Sequence, residues 1–433
     1  MKVMWIVNGM LPEFCRELGL RAANTGGWLV GLCEAVRKHC PKVDLVIVCE
    51  GPRDCWAEVS GVRYYAFKKA NSPLPGVRRR WNALGVKFKA CIRKEDPDLI
   101  HFHGTEHAYQ SFDDDTWCGK PWVITLQGVI NGIAPHYMGG LTPGQLRPHR
   151  NWLRYIATRR DLFSVADSWR IYLSCHEAAA LQKARCIVGR TDWDKAWAKA
   201  LAPHVKYCHV GEILRKEFYE PSNRRNAVRH RIFASAAFKY PLKGGHVLLQ
   251  ALKYLKEDFP DVKLVVADGL AKLFPETILQ RLVQNEYNRY LKCAVSEYGL
   301  WNNVELLPSI DAMRVKEELS RAEVYCQASY VENSPNSLAE AQLQGVPIVA
   351  SFAGGIPSMV ENGQTGLLVP SGDAAQLAAA IRQLFSSDDL KDSLAMRAKE
   401  AAAGRHDPVS VVSDLIACYR KVAENAKFTL QGI

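Results

Sequence analysis

The sequence predicts an α/β protein built from two doubly wound parallel sheets, and three observations point there. At 433 residues the chain is long enough for two domains of ~100–200 residues each. Short apolar runs alternate with helix-like stretches, the pattern of helices wrapped around a parallel sheet. A polar, arginine-rich stretch, Glu220–Arg231, suits a linker, so the expected domains are residues 1–222 and 223–433.

Taken in order, the first domain should hold buried strands at Val3–Asn8, Val43–Val48, Leu99–Phe102, Trp122–Leu126 and Cys186–Val188. The second should hold them at Ile232–Ala236, Val262–Ala267, Val304–Leu307, Val324–Ala328 and Pro347–Ser351. Asp389–Lys427 reads as closing helices, with a return of the last ones to the first domain left open. Two such sheets place their carboxyl ends toward a shared central cleft, where doubly wound sheets bind ligands.

Composition narrows the function. With 48% hydrophobic and 23% charged residues the chain is neither disordered nor fibrous. Its 56 basic against 45 acidic side chains give a net charge of +11. Residues 1–220 carry 32 of the basic and 22 of the acidic groups, so an anionic partner is expected for the first half. Nucleic acid is not expected, because no helix-turn-helix, zinc-finger or aromatic RNA-binding signature is present. The apolar stretch Val3–Val7 is too short for a signal-peptide core and no long apolar run follows, so a cytoplasmic location is expected. Thirteen cysteines without a C-x-x-C pair or zinc spacing read as reduced, mostly buried thiols, and no metal site is expected.

The most informative stretch runs from Ala328 through Ser329, Tyr330, Val331, Glu332, Asn333, Ser334, Pro335, Asn336, Ser337, Leu338 and Ala339 to Glu340. A strand ends near Ala328, a polar loop follows, and Pro335 is placed as the first residue of a helix capped by Ser334. Amides at such a helix start bind an anion such as a pyrophosphate without a metal. Glu332 and Glu340 flank that start, and their carboxylates can accept hydrogen bonds from vicinal hydroxyls of a nucleotide sugar. A strand, a glycine turn at Gly354-Gly355 and a second glycine turn at Gly363 and Gly366 follow.

Together these residues resemble the retaining GT-B glycosyltransferases of family 4. The resemblance implies GT-B architecture, with Glu332 at the transferred sugar and Glu340 at the ribose. It implies a phosphate-binding role for Pro241-Leu242-Lys243-Gly244-Gly245-His246, with Lys243 in the lysine position. The family's preceding arginine is missing, and Lys239 is the nearest substitute. Asn24-Thr25-Gly26-Gly27-Trp28 matches the family's first glycine loop, so Gly26 and Gly27 are expected to approach the donor diphosphate. Where the family has glycine-aromatic-glycine, this chain has Asn333-Ser334-Pro335-Asn336, so side chains replace bare backbone near the donor, and Ser337 and Leu338 complete the set.

On the acceptor side, His103 ends one strand and Gln127, standing where the family commonly has histidine, ends the next. Gln127 cannot act as a base, but its amide can hold a hydroxyl. Arg190, in Val188-Gly189-Arg190-Thr191-Asp192-Trp193-Asp194, matches an arginine at the cleft. Asp192-x-Asp194 and Asp113-Asp114-Asp115 are read as a helix start and an acidic turn, not as metal ligands of a GT-A enzyme.

The expected reaction is metal-independent transfer of a hexose, with retention, from a UDP- or GDP-sugar to a hydroxyl of a saccharide acceptor. No cofactor is expected beyond the donor itself. A GT-B nucleotide-sugar epimerase and a non-catalytic nucleotide-sugar-binding module are the alternatives; a phosphorylase is disfavoured by chain length. Two basic segments interleave arginine or lysine with aromatic and aliphatic residues, Arg78–Lys94 and Arg147–Arg160. Each suits a surface of anionic lipid. A lipid-linked acceptor and a peripheral position on the inner face of the membrane are therefore expected.

Overall fold

A computed structural model of the chain describes residues 1–21, 27–68, 77–106, 109, 114–158, 161–221, 224, 227–267 and 284–431. They form two compact units. The first comprises Met1–Asn131, Leu173–Ile213 and His406–Ile433, and the second Gly132–Tyr172 and Leu214–Arg405.

This division differs from a single cut near residue 222, for identifiable reasons. Tyr137, Leu141, Leu146 and Leu162 share a core with Phe238 and Leu248, which draws Gly132–Tyr172 into the second unit. Leu214 and Phe218 are buried with Phe233 and Tyr325, so the crossing falls before Leu214. Arg224, in the expected linker, donates to the carbonyls of Leu319 (3.3 Å) and Ala322 (3.1 Å) of the second unit. The closing helix Pro408–Gln431 packs Val411, Leu415 and Tyr419 into the first unit's core, the return that the sequence left open.

The first unit's sheet contains β1 (Lys2–Val7), β2 (Asp44–Gly51), β3 (Cys55–Val59), β4 (Val62–Lys68), β5 (Leu99–His103), β6 (Trp122–Thr125), β7 (Cys186–Gly189) and β8 (Lys206–His209). Its order is β3-β4-β2-β1-β5-β6-β7-β8, parallel except for the β3–β4 hairpin. Successive residues of β1 serve opposite faces, as strand geometry requires. Val3, Trp5 and Val7 face the closing helix, while Met4 and Ile6 join Phe88 and Ile92 in the other core.

The second unit's sheet contains β9 (Arg231–Ser235), β10 (Lys263–Ala267), β11 (Val304–Leu307), β12 (Val324–Gln327), β13 (Ile348–Ser351) and β14 (Leu367–Val369), all parallel, in the order β11-β10-β9-β12-β13-β14. Central β9 and β12 run out beside each other, so the loops after them are neighbours at the carboxyl edge. That edge carries the candidate site. Among the described residues no helix is long and apolar enough to cross a membrane.

Candidate active site

After β12 the chain turns through Ala328–Ser334 and enters the helix Asn336–Leu343. Pro335 is the N-cap, so the helix starts one residue later than expected, and Ser334 makes no cap there. Leu338 already donates its amide to Pro335 O at 3.0 Å, leaving Asn336 and Ser337 to present the helix-start N–H groups. The Leu338 side chain is fully buried in the core, so it faces away from a donor. Asn333 is buried, and Ser334, Asn336 and Ser337 are half-buried along the same turn.

Two glycine turns hold this loop. Gly244 sits at φ +73°, and a Cβ there would lie 1.9 Å from Ala328 O. Gly354 sits at φ +54°, where a Cβ would lie 2.1 Å from Glu332 O, and Gly355 N–H donates to that same oxygen at 2.8 Å. Tyr330 N–H donates to Leu242 O at 2.7 Å. The loop is therefore stapled to the Lys243-Gly244-Gly245 turn on one side and to Gly354-Gly355 on the other.

The two residues expected to be catalytic in this unit meet directly. Glu332 Oε1 accepts from Lys243 Nζ (2.5 Å), Ser329 Oγ (2.9 Å) and Gln327 Nε2 (3.2 Å). Gln327 is held in turn by the fully buried Tyr325, whose hydroxyl donates to Gln327 Oε1 at 2.8 Å and shares a 2.8 Å hydrogen bond with Ser337 Oγ at the helix start. Burial raises the Tyr325 hydroxyl far above the ordinary range, so it stays a neutral donor. Among the described residues Glu332 Oε2 makes no hydrogen bond, which leaves it for a ligand hydroxyl. Such a fixed, charge-assisted network is a preorganised site.

Glu340 is 3% exposed, and both carboxylate oxygens are clamped at 2.7 Å by Arg215 Nε and Nη2. Arg215 is absent from the sequence-based set. Lys239 does not enter the group: it is exposed, with Nζ 5.4 Å from the Tyr240 ring centre. His246, beginning the helix behind Lys243, accepts from the Tyr287 hydroxyl (3.1 Å), donates to Gly139 O (3.0 Å) and stacks on Tyr330. Burial pushes its pKa down to about 4, so it is neutral and structural at pH 7.

In the first unit, Gly27 opens the helix Gly27–His39, while Gly26 lies outside the described residues together with Asn24 and Thr25. Gln127 Nε2 donates to His103 O at 2.9 Å. His103 is 1% exposed, its ring 4.7 Å from Trp5 and 3.8 Å from His101, and burial holds it neutral. Arg190 is buried too, donating to Leu126 O (2.8 Å) and pairing with Glu212 (2.7 Å). His103 and Arg190 thus sit beneath the strand-end surface, packed about Trp28. Asp194 closes a capping box with Thr191 and accepts from Arg190 N–H at 3.0 Å, a helix-start role.

Sequence reasoning missed two acids at these strand ends. Glu177 accepts from Thr105 Oγ (2.7 Å) and the amides of Ile130 (2.9 Å) and Asn131 (2.8 Å), tying three loop residues together. Glu106 accepts from Asn8 Nδ2 at 3.1 Å, and burial followed by the nearby Glu177 raises its pKa. No motif spacing marks either residue.

Two parallel-sheet α/β units and a helix-start site define the GT-B class. Sucrose-phosphate synthase from Thermosynechococcus elongatus has a TM-score of 0.69 at 18% identity, over 97% of this chain and 99% of that one. Anabaena HepE in complex with UDP-glucose gives 0.61 at 17% identity, over 100% of both chains. More particularly, residues 216–402, somewhat less than half of the chain, match the glycosyl transferases group 1 family model. The phosphatidyl-myo-inositol mannosyltransferase of Mycobacterium leprae is 30% identical over 184 residues, 42% of this chain and 44% of that protein. The chain spans about two fifths of the length of the first curated relatives it matches.

Proposed function

We propose that the protein is a retaining glycosyltransferase that moves a hexose from a UDP- or GDP-sugar to a hydroxyl of a saccharide acceptor, without a metal ion. The observation that carries this is the Lys243–Glu332 pair beside the helix start at Asn336. Lys243 and the amides of Asn336 and Ser337 supply the positive potential that a leaving diphosphate requires. Glu332 Oε2 takes a hydroxyl of the transferred sugar, and the Arg215–Glu340 clamp fixes the edge where the ribose lies. The leaving phosphate accepts the acceptor's proton on the same face, so the protein contributes positioning and electrostatics. The UDP-glucose complex of HepE, in the same fold, and the group 1 match support a nucleotide-sugar donor.

A lipid-linked acceptor fits the surface of the second unit. In the helix Trp152–Thr158, Trp152 is 60%, Leu153 64% and Ile156 65% exposed, beside Arg147, Arg150 and Arg154. The M. leprae relative is named for a lipid acceptor.

The test is a screen of labelled UDP- and GDP-sugars with saccharide acceptors, with and without chelator, read as released nucleoside diphosphate. One donor should turn over equally with chelator present, and Glu332→Gln should lower turnover roughly 10²–10³-fold, the usual loss for one transition-state contact. Near-normal turnover in that variant, an epimerised sugar, or binding without turnover would each overturn the proposal.

A further inference from the structure

The cysteines read from the sequence as reduced, mostly buried thiols, and the fold gathers three of them in the first unit. Cys186 on β7, Cys208 on β8 and Cys418 on the closing helix bring their sulfurs within 4.8 Å of one another. The cause lies in the register: Cys186 pairs with Lys206 and Val188 with Cys208, so the two strand cysteines share one face, and the closing helix covers it. The sulfur of Cys186 is 3.2 Å from that of Cys208 and 3.7 Å from that of Cys418.

We propose that these three thiols bind one thiophilic metal ion, of the zinc or copper(I) kind, which clips the closing helix to the edge of the sheet. Thiolates at ~2.3 Å from a tetrahedral ion stand ~3.8 Å apart, the spacing these sulfurs already approach. A disulfide needs ~2.05 Å, and would leave the third sulfur unused. Soft sulfur donors select such ions over magnesium or calcium. Binding releases the three thiol protons and leaves a divalent ion with net charge −1. Arg185, Lys206 and Lys421 line the adjoining cavity of about 470 Å³ together with one acid, Glu424, so the cavity's net positive charge offsets it. The cavity also gives the ion an entry path and room for a fourth ligand such as water. His204 lines it as well, but its Nε2 lies 3.1 Å from Gln182 O, so three sulfurs are the protein's share.

The experiment uses the full chain, reduced and stripped of metal, titrated with Cd²⁺ as the probe. An ultraviolet thiolate-to-cadmium band should saturate at one ion per chain and slow proteolysis of the closing helix. Cys186→Ser should abolish the band, whereas Cys175→Ser and Cys293→Ser, at exposed positions, should leave it. If Cys186→Ser does not fold, Cys208→Ser at a half-buried position replaces it. A band that never saturates, a band that survives Cys186→Ser or Cys208→Ser, or a Cys186–Cys208 disulfide found by mass spectrometry would refute the site.

Discussion

Arg215 and Glu340 are 125 residues apart, yet they form a bidentate ion pair at the candidate site. Removing the cation takes both guanidinium hydrogen bonds from a buried carboxylate. Such a loss costs ~3–5 kcal/mol in a fully buried pair. The Arg215 side chain is 27% exposed, so water screens part of it, and Arg215→Ala should cost about 2–3 kcal/mol by denaturant titration. A loss under ~0.5 kcal/mol, the level of an ordinary surface pair, would show that water replaces the guanidinium. Glu332 and Lys243 were legible in the sequence because each belongs to a short local motif. Arg215 was not, since no local pattern records a partner that distant. The supporting row Tyr325, Gln327, Ser329 was legible in principle: alternate positions along a strand share one face.

Among the elements, all ten strands read from apolar runs are present, within one residue at their ends except β2, which runs three residues further, to Gly51. Those missed are β3, β4, β8 and β14. β3 and β8 bury little at the sheet edges, β14 spans three residues, and β4 interrupts its apolar run with Arg63. The glycine turns allow a graded test. Gly244 and Gly363 have nearly the same φ, +73° and +74°, but Gly363 has nothing within 4 Å of a built Cβ. Gly363→Ala should therefore cost only the left-handed penalty of ~1–2 kcal/mol. Gly244→Ala adds a backbone collision at Ala328 O and should cost more than ~3 kcal/mol, displacing the loop that carries Glu332. Equal losses in thermal unfolding would mean that the turn yields without moving the loop.

For the molecule as a whole, the apparent concentration of positive charge in the first half dissolves once the units are known. The first unit carries 27 basic and 21 acidic groups and the second 29 and 24, so each is mildly basic. What distinguishes the two basic helices is where their apolar side chains go. Both segments carry paired basic groups, Lys87 and Lys89 with Asp54 and Asp115, Arg150 and Arg154 with Asp161 and Glu286, but in Val77–Glu95 Leu84, Phe88 and Ile92 are buried. In Trp152–Thr158 the apolar groups face outward. Each such side chain is worth ~1.5–3 kcal/mol when removed from water. The double variant Trp152→Ser, Leu153→Ser should therefore lose at least ~tenfold in affinity for anionic vesicles, measured by flotation. Unchanged flotation, or equal binding of the parent to neutral vesicles, would exclude this helix as the membrane contact.

The return of the closing helix has a consequence for biosynthesis. Trp5 Nε1 donates to the Tyr419 hydroxyl at 3.0 Å, so the central strand β1 is completed by a residue 414 positions later. At ~5–20 residues per second, β1 waits on the order of 20–80 s on the ribosome for its partner. The second unit, whose last residue is Arg405, has its whole sequence synthesised before the closing helix exists. It can therefore fold first, while β1 remains exposed to chaperones until the closing helix emerges.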